Sequence, residues 1–400
     1  MEQPENLLTV KPTWRNQRLT RLKKRRRLWL KVHLYLGLFA GAVLVVIGLT
    51  GSILTFWMEI DRWLNPELTT VAVSEAANIR PLADIVAAAQ AAMPTGAVFT
   101  YAYPPSSPEQ AYVVFFDVPA GNGATHSVNA FVNPYTAQIV GTRVYYHATD
   151  LTAYCFMGFV FKLHYTLLAG NDGAVLVGIL GVLAFISLLT GLIVWWPLTG
   201  KWRQALTVKR HAGSERLNYD LHKTFGFYST VLLSAVFISG VSMNLPGPFK
   251  WLVERFSPVA AVGDYRTEPS TDSVAVTVDQ AWKKAASLYP DGRLYWFSVP
   301  KNETGVYVFT VHGPLGAGFY GRRKVIVDRY GELLHVFDSL QGSGGSVFMQ
   351  WMWPLHSGYF FGMPGRILVL LSGLACVLLF VTGVVRWLQK RRAAIARKQT

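Results

Sequence analysis

Four histidines carry the chemistry this sequence can offer: His33, His222, His164 and His356. Spacing is what singles them out. His33, Gly37 and Gly51 recur as His222, Gly226 and Gly240, each 189 residues further on. His164, Gly170, Gly173, Gly181, Thr190 and Gly191 recur as His356, Gly362, Gly365, Gly373, Thr382 and Gly383, each 192 further on. The chain is therefore an internal duplication in which every long apolar run has a histidine at its edge. Imidazole is a common ligand to haem iron and a costly side chain to keep beside hydrocarbon. One histidine at a helix end is ordinary interfacial chemistry. Four in a two-fold repeat, two at each depth, point to two bis-histidine haem sites, His33 with His222 and His164 with His356. Both axial positions of such an iron are filled, which suits electron transfer rather than oxygen binding.

Other chemistries are excluded by what surrounds them. The two cysteines, Cys155 and Cys376, form no Cys-x-x-Cys-His motif and no cluster, so covalent haem and iron–sulfur centres are out. They are expected at different depths, which argues against a disulfide. No His-Glu-x-x-His or other close spacing favours zinc. Gly316-Ala317-Gly318-Phe319-Tyr320-Gly321 fits the dinucleotide fingerprint literally, but it joins two expected strands and reads as a glycine-rich hairpin. No cytoplasmic segment is large enough for a flavin or nicotinamide domain, which leaves another protein, a quinol or a soluble reductant as electron donor. His126, His147, His211, His312 and His335 have no repeat partner and read as ordinary polar residues. Arg216 and Lys31 inside, and Lys162 and Arg366 outside, are the cations expected near haem propionates.

The elements that must position these residues follow from composition. With 51% hydrophobic and 15% charged residues, the chain reads as an integral membrane protein. The net charge of +15 falls in three clusters, at 21–31, 201–216 and 386–398. All three share one side if the chain crosses four times, which is the positive-inside pattern and not a nucleic-acid footprint. The expected fold is a membrane α-helical bundle of four transmembrane helices, built by duplication, with two extracytoplasmic α+β modules. A basic cytoplasmic tail (1–31) leads into a retained first helix (32–57). Module 1 (58–155) and an outer-interface segment (156–173) precede the second helix (174–196) and a cytoplasmic loop (197–220). The third helix (221–244), module 2 (245–346), a second outer-interface segment (347–365), the fourth helix (366–388) and a cytoplasmic tail (389–400) repeat the plan. Both termini are then cytoplasmic. Tyr101, Tyr103, Tyr145, Tyr146, Trp296, Phe319 and Tyr320 are expected mainly to pack the modules, or else to face a substrate.

Several stretches resemble the PepSY-associated transmembrane-helix family of iron-regulated bacterial inner-membrane proteins. They are His33 to Gly37, Trp63-Leu64-Asn65-Pro66, Leu163-His164-Tyr165, Trp195-Trp196-Pro197, Asn218-Tyr219-Asp220-Leu221-His222 and Pro354-Leu355-His356-Ser357-Gly358. The likeness spans nearly the whole chain apart from its basic tails. Lys31-Val32-His33 departs from the commoner Trp-His-Arg at the first crossing. The resemblance implies PepSY-like modules, a bacterial inner-membrane location, two haem b groups and a haem-dependent ferric-siderophore reductase that frees ferrous iron in the periplasm. Two competing classes are a transporter for iron or siderophore and a non-catalytic ligand-binding membrane protein. The apolar runs contain no acidic residue to line a transport path.

Overall fold

The structure is a computed structural model and describes residues 14–73, 78–120, 125–147, 150–198, 200–209, 211–270, 273–316 and 319–399. The first half runs α1 (Trp14–Leu54), α2 (Trp57–Leu64), α3 (Pro66–Thr69), α4 (Leu82–Ala91), β1 (Val98–Tyr103), β2 (Tyr112–Pro119), β3 (Thr125–Val132), β4 (Ile139–Val144), α5 (Ala153–Thr166) and α6 (Gly170–Trp195). The second begins with α7 (Trp202–Leu206), α8 (Ser214–Tyr228), α9 (Thr230–Asn244), α10 (Pro246–Glu254) and α11 (Val278–Ser287). It continues through β5 (Arg293–Ser298), β6 (Tyr307–Gly316), β7 (Phe319–Val327), β8 (Leu333–Asp338), α12 (Gly344–Ser357) and α13 (Gly362–Gln399).

Among the described residues, three helical stretches are long and apolar enough to cross a membrane: Lys24–Leu54, Gly170–Trp195 and Tyr359–Arg397. The protein is thus a multi-pass membrane protein. The expected crossing at 221–244 is instead a pair, α8 and α9, bent by 61° at Ser229 and sufficient as a span only when taken together. Local hydrogen bonding accounts for the break. The Ser229 hydroxyl donates to the Phe225 carbonyl at 2.7 Å and that of Thr230 to the Gly226 carbonyl at 2.7 Å, competing with the helix ladder. The first helix also starts earlier than expected, so Arg21 to Lys31 extend α1 toward Trp14.

The chain divides into two compact units. One comprises Met1–Val45, Val182–Ser234 and Ala375–Thr400. It is helical, with Trp195 stacked on Phe227 at 4.0 Å and Phe380 lying against Gly41. The other comprises Val46–Gly181 and Ala235–Leu374 and contains every strand. Here the expectation of two separate α+β modules gives way to one eight-stranded antiparallel sheet, ordered β4-β3-β2-β1-β5-β6-β7-β8. Each half supplies four strands, and the halves join where β1 meets β5 at Ala102 and Phe297. Pairing these two strands leaves neither half with an exposed edge at that seam. One face is sealed by α4 and α11, whose Ile85, Ala89, Ala281 and Ala285 pack with Phe116, Phe297, Phe309 and Val325.

A buried ion pair ties the first-half strands to the chain leaving the membrane. Asp61 on α2 accepts bidentate hydrogen bonds from Arg143 on β4 at 2.8 and 2.7 Å, and Asn65 adds a third at 2.9 Å. This gives Trp63-Leu64-Asn65-Pro66 a structural role. Removing one partner strands a buried charge, so Asp61→Asn or Arg143→Met is expected to cost about 3–5 kcal/mol. Replacing both with apolar residues should recover most of that, as read by thermal unfolding of the purified protein.

Candidate functional site

Each of the four histidines meets a hydroxyl residue followed by glycine on another helix. His33 on α1 faces Thr190-Gly191 on α6, and His222 on α8 faces Thr382-Gly383 on α13. His164 on α5 faces Thr50-Gly51 on α1, and His356 on α12 faces Ser239-Gly240 on α9. The hydroxyl partners keep the repeat spacing, Thr50 with Ser239 and Thr190 with Thr382.

The hydrogen bonds fix the tautomer. His33 Nδ1 lies 2.9 Å from the Ser187 carbonyl, His164 Nδ1 2.9 Å from that of Ile47, and His356 Nδ1 3.1 Å from that of Val236. His222 Nδ1 lies 2.9 Å from the Thr382 hydroxyl, which donates its own proton to a carbonyl of its helix and so accepts here. A carbonyl only accepts, so Nδ1 carries the proton in each ring. The hydroxyls spend their own protons one turn back, Thr50 on the Val46 carbonyl at 2.8 Å and Thr382 on that of Leu378 at 2.6 Å. Nε2 is then the basic nitrogen in all four rings. Among the described residues it has no hydrogen-bond partner.

The histidines pair off as their depths require. His33 and His222, within the first unit, have ring centroids 6.2 Å apart; His164 and His356, within the second, are 6.0 Å apart. Two ring nitrogens, each about 2 Å from one shared metal, place their centroids roughly 6–6.5 Å apart. The residues present therefore fit an iron held between each couple. A zinc ion fits less well, because no group of three or more His, Cys, Asp or Glu side chains converges among the described residues.

Glycine makes the close approach possible. A Cβ on Gly51 would lie 2.9 Å from Cε1 of His164, and one on Gly191 3.0 Å from that of His33. The corresponding distances are 3.2 Å for Gly240 to His356 and 3.3 Å for Gly383 to His222. Each imidazole lies along bare helix backbone with its Nδ1 locked to that helix. The sequence marked these glycines, with Thr190 and Thr382, as repeated, but nothing in it linked each to a particular histidine.

Local chain geometry supports the outer pair. α5 ends just after His164, and Leu167, Leu168 and Gly170 turn the chain into α6 with φ of 50°, 62° and 59°. α12 contains Pro354 and ends just after His356, where Gly358 and Gly362 take φ of 76° and 61°. Beside His222, Asn218 donates to the Thr382 carbonyl at 2.9 Å, bracing the residue that holds that ring. Asp220 collects Arg216 and Lys223, each at 3.0 Å. The Asn-Tyr-Asp-Leu-His stretch is thus the mount of His222.

The cations expected beside propionates are largely committed elsewhere. Arg216 is paired with Asp220. Arg366 is buried, donating to the Thr55 carbonyl at 2.8 Å and pairing with Glu59 at 2.7 Å. Lys162 bonds the Tyr165 hydroxyl at 2.7 Å, and Lys31 is exposed. Cys155 and Cys376 are both free thiols. Gly316 pairs with Phe319 across antiparallel β6 and β7, the geometry of a hairpin, with 317–318 outside the described residues. Tyr101 stacks on Phe115 at 4.6 Å and meets Trp296 at 5.7 Å, which is packing; the side chains of Phe319 and Tyr320 lie outside those described.

The sequence profile of the family described as PepSY-associated TM region matches residues 30–390. No curated protein matches the chain.

Proposed function

The chain belongs to the PepSY-associated TM family, and from that membership and its two histidine couples we propose that it is a di-haem b oxidoreductase of the bacterial inner membrane. It crosses four times with both termini cytoplasmic, and it reduces a ferric siderophore in the periplasm to release ferrous iron. The observation that carries this reading is the pair of centroid distances, 6.2 and 6.0 Å, with Nδ1 held by a partner helix in every ring. His33 with His222, and His164 with His356, would each hold one haem b, which would supply reversible one-electron exchange.

The protein's own residues do the rest. Nδ1–H bonds to carbonyls raise the basicity of Nε2 and stop the rings rotating. The apolar helices keep water from the metal sites. α5 and α12, which carry His164 and His356, also lie against β4 and β8, which ties that couple to the sheet within its unit. Reduction of the substrate weakens hydroxamate-type oxygen chelation, because such hard ligands favour ferric over ferrous iron. The electron donor is a quinol or another reductant on the cytoplasmic side.

The test is a redox-resolved visible spectrum of the purified protein under anaerobic conditions. A reducible low-spin haem band, reoxidised when a ferric siderophore is added, is the expected result. A colourless protein would end the reductase reading and return the transporter and ligand-binding classes. A haem band that the chelate leaves reduced would keep the cofactor and reject the substrate.

A further inference from the structure

The face of the sheet not covered by α4 and α11 carries an uncompensated group of donors. Across β5, β6 and β7, His312 pairs in register with Arg322 and Thr310 with Lys324. Tyr295 stacks on His312 at 4.0 Å, and the Arg322 guanidinium lies 4.5 Å over the ring of Trp353 on α12. Three buried polar atoms here have no hydrogen-bond partner, Thr310 Oγ1, His312 Nε2 and Arg322 Nε, while the Tyr295 hydroxyl meets that of Tyr359. Thr310 is 0% exposed, so water does not satisfy its hydroxyl. Among the described residues neither Arg322 nor Lys324 forms an ion pair. Glu59, the carboxylate acting on the neighbouring Tyr359, is taken by Arg366. Orphaned donors and unpaired cations kept side by side are costly unless an anion completes them.

We propose that Arg322, Lys324, Thr310, His312 and Tyr295, closed by Trp353, form an oxyanion site for a carboxylate-bearing ligand. Trp353 and His356 lie three residues apart on α12, about 4.5 Å along the helix axis. The carboxylate therefore belongs either to an anionic ferric chelate arriving at the outer histidine couple or to a propionate of the porphyrin held there. This placement rests on the proposed function; the oxyanion site itself does not. Burial, reinforced by the Arg322 charge, pushes the Lys324 amine down to about 7. A bound carboxylate would raise it again against its neighbours Arg322, His312, Tyr295, Tyr103 and Tyr359. Binding then takes up a proton, and affinity falls as pH rises above 7.

The test uses gallium(III) citrate, a carboxylate chelate that is not reduced, with tryptophan fluorescence of the purified full-length protein as readout. Binding that weakens about tenfold or more in Arg322→Gln and in Lys324→Gln, but survives in Arg322→Lys, supports the site and the chelate as its ligand. Lys324→Gln gives an independent reading should Arg322→Gln fail to accumulate. No citrate binding, with one haem's midpoint potential or retention altered in both glutamine variants, supports the site and assigns it to the propionate. No binding and unaltered haem in both variants overturns the proposal. Gallium citrate bound by a protein that holds no haem would end the reductase reading and leave the oxyanion site standing.

Discussion

Replacing His164 or His356 with alanine should halve the haem carried per chain, and His33→Ala or His222→Ala should halve it at the other couple. A double change that breaks both couples, His33→Ala with His164→Ala, should leave the protein colourless. Non-covalent haem depends on its axial nitrogens. In each ring here Nε2 is the sole free base, because Nδ1 is bonded to a carbonyl or, in His222, to a hydroxyl of a neighbouring helix. A merely structural histidine would behave differently. Losing its Nδ1–H bond would cost about 1–3 kcal/mol and lower the unfolding temperature, but haem content would not drop by half. Rescue separates the two roles further. Added imidazole should restore the low-spin spectrum of His164→Gly by occupying the emptied position, and it has no reason to restore a lost helix contact. Unchanged haem content in all four single variants would sink the bis-histidine assignment.

Duplication is why so much of this was legible in the sequence. His33, His164, Gly51 and Gly191 each appeared twice at a fixed offset, which separates a shared constraint from a chance residue, and the depth rule then sorted the four histidines into couples. Crossing geometry was not legible. Nothing in the spacing says that His33 lies on Thr190-Gly191 while His164 lies on Thr50-Gly51, since that depends on which helices pack together. The sheet shows the same limit. The sequence marked an α+β module in each half, yet the seam at Ala102 and Phe297 is a tertiary contact between strands nearly two hundred residues apart. His312 was set aside because it has no repeat partner, whereas Arg322 beside it and Trp353 across from it define its setting only in three dimensions. Gly37 erred in the opposite direction. It repeats as faithfully as Gly51, but a Cβ there would meet nothing within 4 Å.

That contrast gives a graded test of the cradles. Gly51→Ala and Gly191→Ala add a methyl group 2.9 and 3.0 Å from an imidazole carbon, closer than such contacts normally occur, so the ring must move off its carbonyl. Overpacking of this kind costs about 1–3 kcal/mol, or roughly tenfold or more in retention of the affected haem. Gly240→Ala and Gly383→Ala, at 3.2 and 3.3 Å, should produce smaller shifts in midpoint potential and a modest loss. Valine at Gly51 or Gly191 should empty the site outright, because its branches leave the imidazole no room beside the helix. Gly37→Ala is the control: it meets no neighbour and should stabilise α1 by up to about 1 kcal/mol through helix propensity. Haem content and redox potential across the series should therefore follow the order of the contacts. If Gly51→Ala and Gly37→Ala proved indistinguishable, the glycines would only help helices pack, and the imidazoles would owe their positions to something else.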